Sequence, residues 1–115
     1  MDQTLFALPI LPNKTEAARA FLQELEGERK GQYAASEQRL GLVKEVWAIQ
    51  QGPQGALYVV YFAGDNIGRA FQQFAASQDD FDRWFKRQVL ETTGADLNTP
   101  PPGPMSEILS DYEAQ

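Results

Sequence analysis

Glu45 and Trp47 stand two residues apart in the apolar run Leu42 to Gln50, a spacing that puts both side chains on one face if the run is a strand. A carboxylate held among apolar neighbours loses hydration and its pKa rises. It can then serve as a general base or bind a polar group of a ligand. The competing arrangement pairs Glu45 with an Arg or Lys at a sheet edge. Tyr58 and Tyr61 lie on the next apolar run and, with Trp47, line either an internal cavity or a subunit interface. In both places a buried phenol needs a hydrogen-bond partner. Phe81, Trp84 and Phe85 recur at helical spacing, which walls a ligand pocket or fills a core. Asn66 adds a polar amide and, with Asp65, is also placed to cap a helix. Glu45, Trp47, Tyr58, Tyr61, Asn66, Phe81 and Trp84 are therefore the ligand-cavity candidates, and none sits in a motif that assigns a catalytic role.

Other charged groups read as structural. Asp79-Asp80 is a helix-start signature and lacks the further spaced ligands a hard cation needs, so no metal is expected. Asp82 and Arg83 suggest a solvated or interhelical ion pair. Gly64-Asp65-Asn66-Ile67-Gly68 falls short of the phosphate-binding patterns and suits a strand-to-helix turn.

Composition narrows the chemistry further. The 115 residues include no Cys and no His, which excludes disulfides, thiolate or imidazole metal sites, cysteine nucleophiles and a Ser-His-Asp triad. Sixteen acids against ten bases give a net charge of -6, and no base follows Arg87. Such a chain repels phosphate backbones and anionic membranes, so neither nucleic acid nor membrane is an expected partner. The first residues lack the basic region and apolar run of a signal peptide, and no stretch approaches a membrane span, so a soluble cytoplasmic protein is expected.

The elements that must position these residues follow from periodicity. Thr4 to Ile10 suits a buried strand running into Pro12-Asn13. Ala17, Ala18, Phe21, Leu22 and Leu25 predict an amphipathic helix, with Asn13 or Thr15 as its cap. Glu28 to Leu40 is polar, with isolated Tyr33 and Leu40, and reads as an irregular or short helical connection. Leu42 to Gln50 and Ala56 to Ala63 predict an antiparallel hairpin around Gln51-Gly52-Pro53-Gln54-Gly55. Two helices follow, one burying Ile67, Ala70, Phe71 and Phe74 and one burying Phe81, Trp84, Phe85 and Val89. Residues 95–104 form a proline-rich connector, and Ser106 to Tyr112 a final strand.

The expected architecture is one α+β domain over 1–115: a ferredoxin-like βαββαβ sandwich, with a four-stranded antiparallel sheet and helices on one face. The strand at 56–63 is apolar on both parities, with Leu57, Val59, Tyr61 and Ala63 on one and Ala56, Tyr58, Val60 and Phe62 on the other. Helices can cover only one of these faces. A homodimer joined through the open sheet face, closing an α+β barrel, is the expected solution, and the 28–40 segment or the tail folding over that face is the alternative. The acidic tail is expected to dock near Arg69, Arg83 or Arg87, or across the dimer.

The element order, the two-sided strand and Phe81-Asp82-Arg83-Trp84-Phe85-Lys86 resemble the dimeric α+β barrel superfamily, which includes antibiotic-biosynthesis monooxygenase-like and EthD-like proteins. The segment Ser77 to Gly94 is similar to that of an uncharacterised small bacterial family carrying a Phe-Asp-x-Trp-Phe-Lys segment. The resemblance implies a homodimer with a cavity between each sheet and its helices. Haem-dependent relatives use a His ligand that this chain lacks, whereas cofactor-free monooxygenases of similar fold need only polar groups and a Trp around an aromatic substrate. The expected function is binding of a small apolar or aromatic molecule, as a cofactor-independent monooxygenase or isomerase. The alternative is a non-enzymatic homodimeric ligand carrier or interaction module with a fully packed core. No cofactor is expected in either case.

Overall fold

A computed structural model describes residues 1–100 and 105–115. Strand β1 (Asp2–Pro9) leads into helices α1 (Thr15–Glu26) and α2 (Lys30–Leu40). The hairpin of β2 (Leu42–Gly52) and β3 (Gly55–Gly64) follows, then helices α3 (Ile67–Ala76) and α4 (Asp80–Thr93). The sheet is antiparallel, with strand order β1-β3-β2. Tyr61 on the central strand faces Leu5 of β1 on one side and Val46 of β2 on the other.

The period of two sorts each strand. Ala56, Tyr58, Val60 and Phe62 point toward the helices and are buried, while Leu57, Val59 and Tyr61 point away and are half-buried. Below the sheet, Phe21 of α1 meets Trp47, Tyr58, Trp84 and Phe85 edge-on at centroid separations of 5.0–6.4 Å, the geometry that ring quadrupoles favour. Burying each such side chain stabilises the fold by about 2 kcal/mol.

The structure corrects several expectations. Of the two readings of 28–40, irregular or short helical, the helical one holds over residues 30–40, because Tyr33, Ser36 and Leu40 recur at helical spacing and turn inward, and Gly41 closes the helix in the left-handed conformation at φ 73°. Helix α1 begins after Lys14 with no side-chain cap, since Asn13 is itself left-handed at φ 70°. Asn66 caps α3 as expected, its Oδ1 accepting from the Arg69 amide at 3.0 Å. Asp79 caps α4 by accepting from the Phe81 amide at 3.1 Å.

Among the described residues the sheet has three strands, where four were expected. Residues 105–115 are not assigned to a strand, and the Ser106 side chain takes the place of a backbone ladder. Its Oγ accepts from the Leu5 amide at 2.9 Å and lies 3.0 Å from Thr4 Oγ1. The tail is thus held beside β1, with Gln3 donating to Asp111 at 3.2 Å, and among the described residues no tail carboxylate forms an ion pair with Arg69, Arg83 or Arg87. The connector expected over 95–104 lies outside the described residues from 101 to 104; before it, Asn98 turns back to bond Asp96.

Candidate functional site

Between the sheet and the helix layer lies a cavity of about 570 Å3. Phe6, Trp47 and Phe62 form its sheet wall, Phe71 and Phe74 come from α3, and Phe81 and Phe85 from α4. Helix α2 contributes Tyr33, Ser36, Glu37 and Leu40, and residues 95–100 with Met105 and Ser106 border it on another side. The walls are overwhelmingly apolar, and the volume suits a small organic molecule.

Glu45 projects from β2 into this cavity. Its Oε2 accepts a 2.6 Å hydrogen bond from Trp47 Nε1, a contact set by the two-residue spacing on one face of the strand. Glu37 of α2 reaches the same carboxyl, as does the Tyr33 hydroxyl one helical turn earlier. Among the described residues no ion pair involves Glu45, so the sheet-edge pairing with Lys or Arg does not form.

Two carboxyls facing each other in an apolar chamber cannot both ionise cheaply. Burial raises the Glu45 carboxyl above its ordinary range, an effect opposed by hydrogen bonds from Glu37, Trp47 and Tyr33. Glu37 is pushed up to about 10, first by burial and then by its hydrogen bond to Glu45 and the charges of Glu45 and Asp82. The Tyr33 phenol is also raised, by burial and by the neighbouring Glu45 and Glu37. Both carboxyls are thus held toward their protonated forms, and the two titrate as a unit.

The other candidates divide clearly. Phe81 joins Glu45 and Trp47 at the cavity. Tyr58 is fully buried beside it, its hydroxyl 2.7 Å from Thr92 Oγ1. Tyr61 lies on the outer sheet face, donating to Gln3 at 2.5 Å. Asn66 is occupied as the α3 cap. Trp84 packs on Phe21 and carries the Arg29 guanidinium 4.0 Å above its ring, so its place is in the helix layer. Glu37 and Tyr33 were absent from the candidates. The signal for them was the spacing of Tyr33, Ser36, Glu37 and Leu40, one helical face carrying both a carboxyl and a phenol.

A second polar cluster is structural. Asp82, 1% exposed, accepts from Ser36 Oγ at 2.6 Å, Ser77 Oγ at 2.6 Å and Arg39 at 3.2 Å, so it is an interhelical anchor and not a partner of Arg83. Lys86 donates to the carbonyls of Phe74, Ala75 and Ser77 at 3.0–3.1 Å and closes the end of α3. Burial lowers its pKa. Among the described residues no group of three or more acidic side chains is arranged to hold a metal ion, and no helix is long and apolar enough to cross a membrane.

No family model matches the chain, and no curated protein matches it in sequence. In structure it is similar to tetracenomycin F2 cyclase from Streptomyces glaucescens, a type-II polyketide cyclase, with a TM-score of 0.57 and 14% identity over 100% of both chains. At that identity the likeness is one of fold. It carries no family membership and does not extend to the smaller family with the Phe-Asp-x-Trp-Phe-Lys segment.

Proposed function

We propose that the chain binds a small, ring-bearing, largely apolar molecule in the cavity and that the Glu37–Glu45 pair exchanges a proton with it, as a cofactor-independent isomerase would. The observation that carries this reading is the placement of two facing carboxyls, flanked by Trp47 N–H and Tyr33 O–H, on the wall of an otherwise apolar chamber of about 570 Å3. A pair holding one proton is an acid and a base in one place. It can take a proton from an acidic C–H of the ligand and return it at another atom, while Trp47 and Tyr33 steady the carboxyl that receives it. The cyclase of similar fold is named for work on polyketides, molecules whose shape such a chamber would accept. The same proposal places a second copy of the chain against the outer sheet face, where Val46 and Leu5 are 43% and 42% exposed.

The test uses 2-tetralone, a neutral bicyclic ketone with acidic C–H groups, as probe in D2O. Calorimetry reads its binding, and proton NMR reads deuterium entry beside the carbonyl. The expected result is exchange accelerated about a hundredfold or more by the protein, and lost in Glu45→Gln and Glu37→Gln. Binding without acceleration would replace the isomerase reading by that of a ligand carrier. Absence of binding would remove the cavity as a site.

A further inference from the structure

The described lining residues of the cavity include Glu37, Glu45 and Asp96 but neither Lys nor Arg. Two bases on the helices that wall the cavity are committed elsewhere: Arg39 of α2 to Asp79 and Asp82, Lys86 of α4 to three carbonyls. An anionic ligand would therefore meet carboxylates, hydroxyls and apolar side chains but no cationic partner. From this geometry we infer that the natural ligand carries a protonated amine on its apolar body, and that the ammonium seats between Glu37 and Glu45 on the cavity wall. The inference rests on reading the cavity as a ligand site and is independent of any turnover there.

Charge balance favours this occupant. Before binding, burial holds both carboxyls toward their protonated forms; an ammonium between them lets them ionise, and its positive charge offsets theirs inside the apolar chamber. The burial penalty that disfavours two bare carboxylates is thereby offset, because each accepts a charge-assisted N–H donor. Trp47 already donates to one oxygen of Glu45, which leaves further acceptor positions on that carboxyl for the ligand. Phe6, Phe62, Phe71 and Phe81 present rings to the apolar body and to the flank of a cation. The net charge of -6 adds a long-range attraction for cations.

Binding on these terms releases a proton from the pair. The groups that set its pH dependence are Tyr33 and Glu37 on α2, Glu45 on β2, Asp82 on α4 and, toward Tyr33, Glu26 on α1. The lining side chains of β1, β3 and α3 carry no titratable group, and Asp96 stands in the segment that follows α4.

Three molecules with one skeleton test the inference: 2-aminotetralin, 2-tetralol and tetralin-2-carboxylate, each titrated calorimetrically into the protein at pH 7 in two buffers of different ionisation enthalpy. The expected order is amine, then alcohol, then acid, with the amine about tenfold or more tighter than the alcohol, as a charge-assisted contact gives. Amine binding should release up to about one proton and tighten as pH rises toward the amine's own pKa; alcohol binding should release none. In Glu37→Gln and in Glu45→Gln the amine should lose its advantage while the alcohol binds as before. Alcohol binding equal to or tighter than amine, or amine binding without proton release, overturns the inference and leaves the cavity reading standing. Failure of all three probes overturns both.

Discussion

At Glu45 the same facts that suggest chemistry also carry a stability consequence. The folded chain keeps Glu37 protonated up to about 10, whereas in the unfolded chain the same group titrates near its ordinary value of 4.5. Between those values the folded state binds more protons than the unfolded one, so stability falls as pH rises. Urea unfolding at pH 5 and pH 9 should therefore give the higher midpoint at pH 5, and Glu37→Gln, which cannot ionise, should flatten the difference. A wild-type midpoint that rises across that interval would show that the pair is not held toward its protonated form. The two tryptophans provide a second contrast. Trp47→Phe removes the donor to Glu45 and a cavity wall together, so it should weaken binding of 2-tetralone about tenfold. Trp84→Phe keeps a ring against Phe21 outside the cavity lining and should leave that affinity within twofold, as read by the same calorimetry.

Helix α2 decides how the site is assembled, and it is the element the sequence concealed. Its inward face carries Tyr33, Ser36, Glu37 and Leu40, too few apolar residues to reveal a helical period, so 28–40 looked like a connection. The strands announced themselves because β2 and β3 alternate or run apolar between Gly-rich punctuation, and Glu45 stood out by interrupting such a run. Its partner was not legible: a carboxyl pair formed by a helix and a strand exists only once tertiary packing has set both. The tail misled for the opposite reason, since Ile108, Leu109 and Tyr112 suggest a strand but remain exposed while Ser106 takes the β1 amide. What fixes α2 is Asp82, which accepts from Ser36 and Arg39 of α2 and from Ser77 before α4. Asp82→Ala should cost about 3 kcal/mol in urea unfolding, because it leaves buried hydroxyls without their charged acceptor. It should also loosen the probe site, through displacement of Glu37. Gly64 constrains the other end of the helix: a Cβ there would lie 2.7 Å from the Gly41 carbonyl oxygen and 3.2 Å from Leu42 Cα. Backbone must then move, so Gly64→Ala should destabilise by about 2 kcal/mol in the same assay.

On the scale of the whole molecule, the sheet separates two surfaces with different tasks. The inner face holds the cavity; the outer presents Leu5 and Ala7 of β1, Leu57, Val59 and Tyr61 of β3, and Val46 and Ala48 of β2, in one register. Among the described residues the helices pack on the inner side, and the tail bonds to Gln3, Thr4 and Leu5 of β1. An apolar sheet face of this breadth is costly in water, and in the proposed assembly a second copy presenting the same face would supply a self-complementary cover through a twofold axis. Val59 sits at the centre of that face, paired to Ala7 and Ala48 on its two flanks, so a charge there would be buried without a partner in the assembly. Light scattering of the wild-type chain at micromolar concentration should give twice the chain mass, and Val59→Arg should give the single mass. Because Val59 points away from the cavity, the Val59→Arg monomer should still bind 2-tetralone with affinity near that of the wild type. A monomeric wild type would refute the face-to-face assembly. A monomeric variant that no longer binds the probe would show instead that the two surfaces are coupled and that the cavity depends on the second copy.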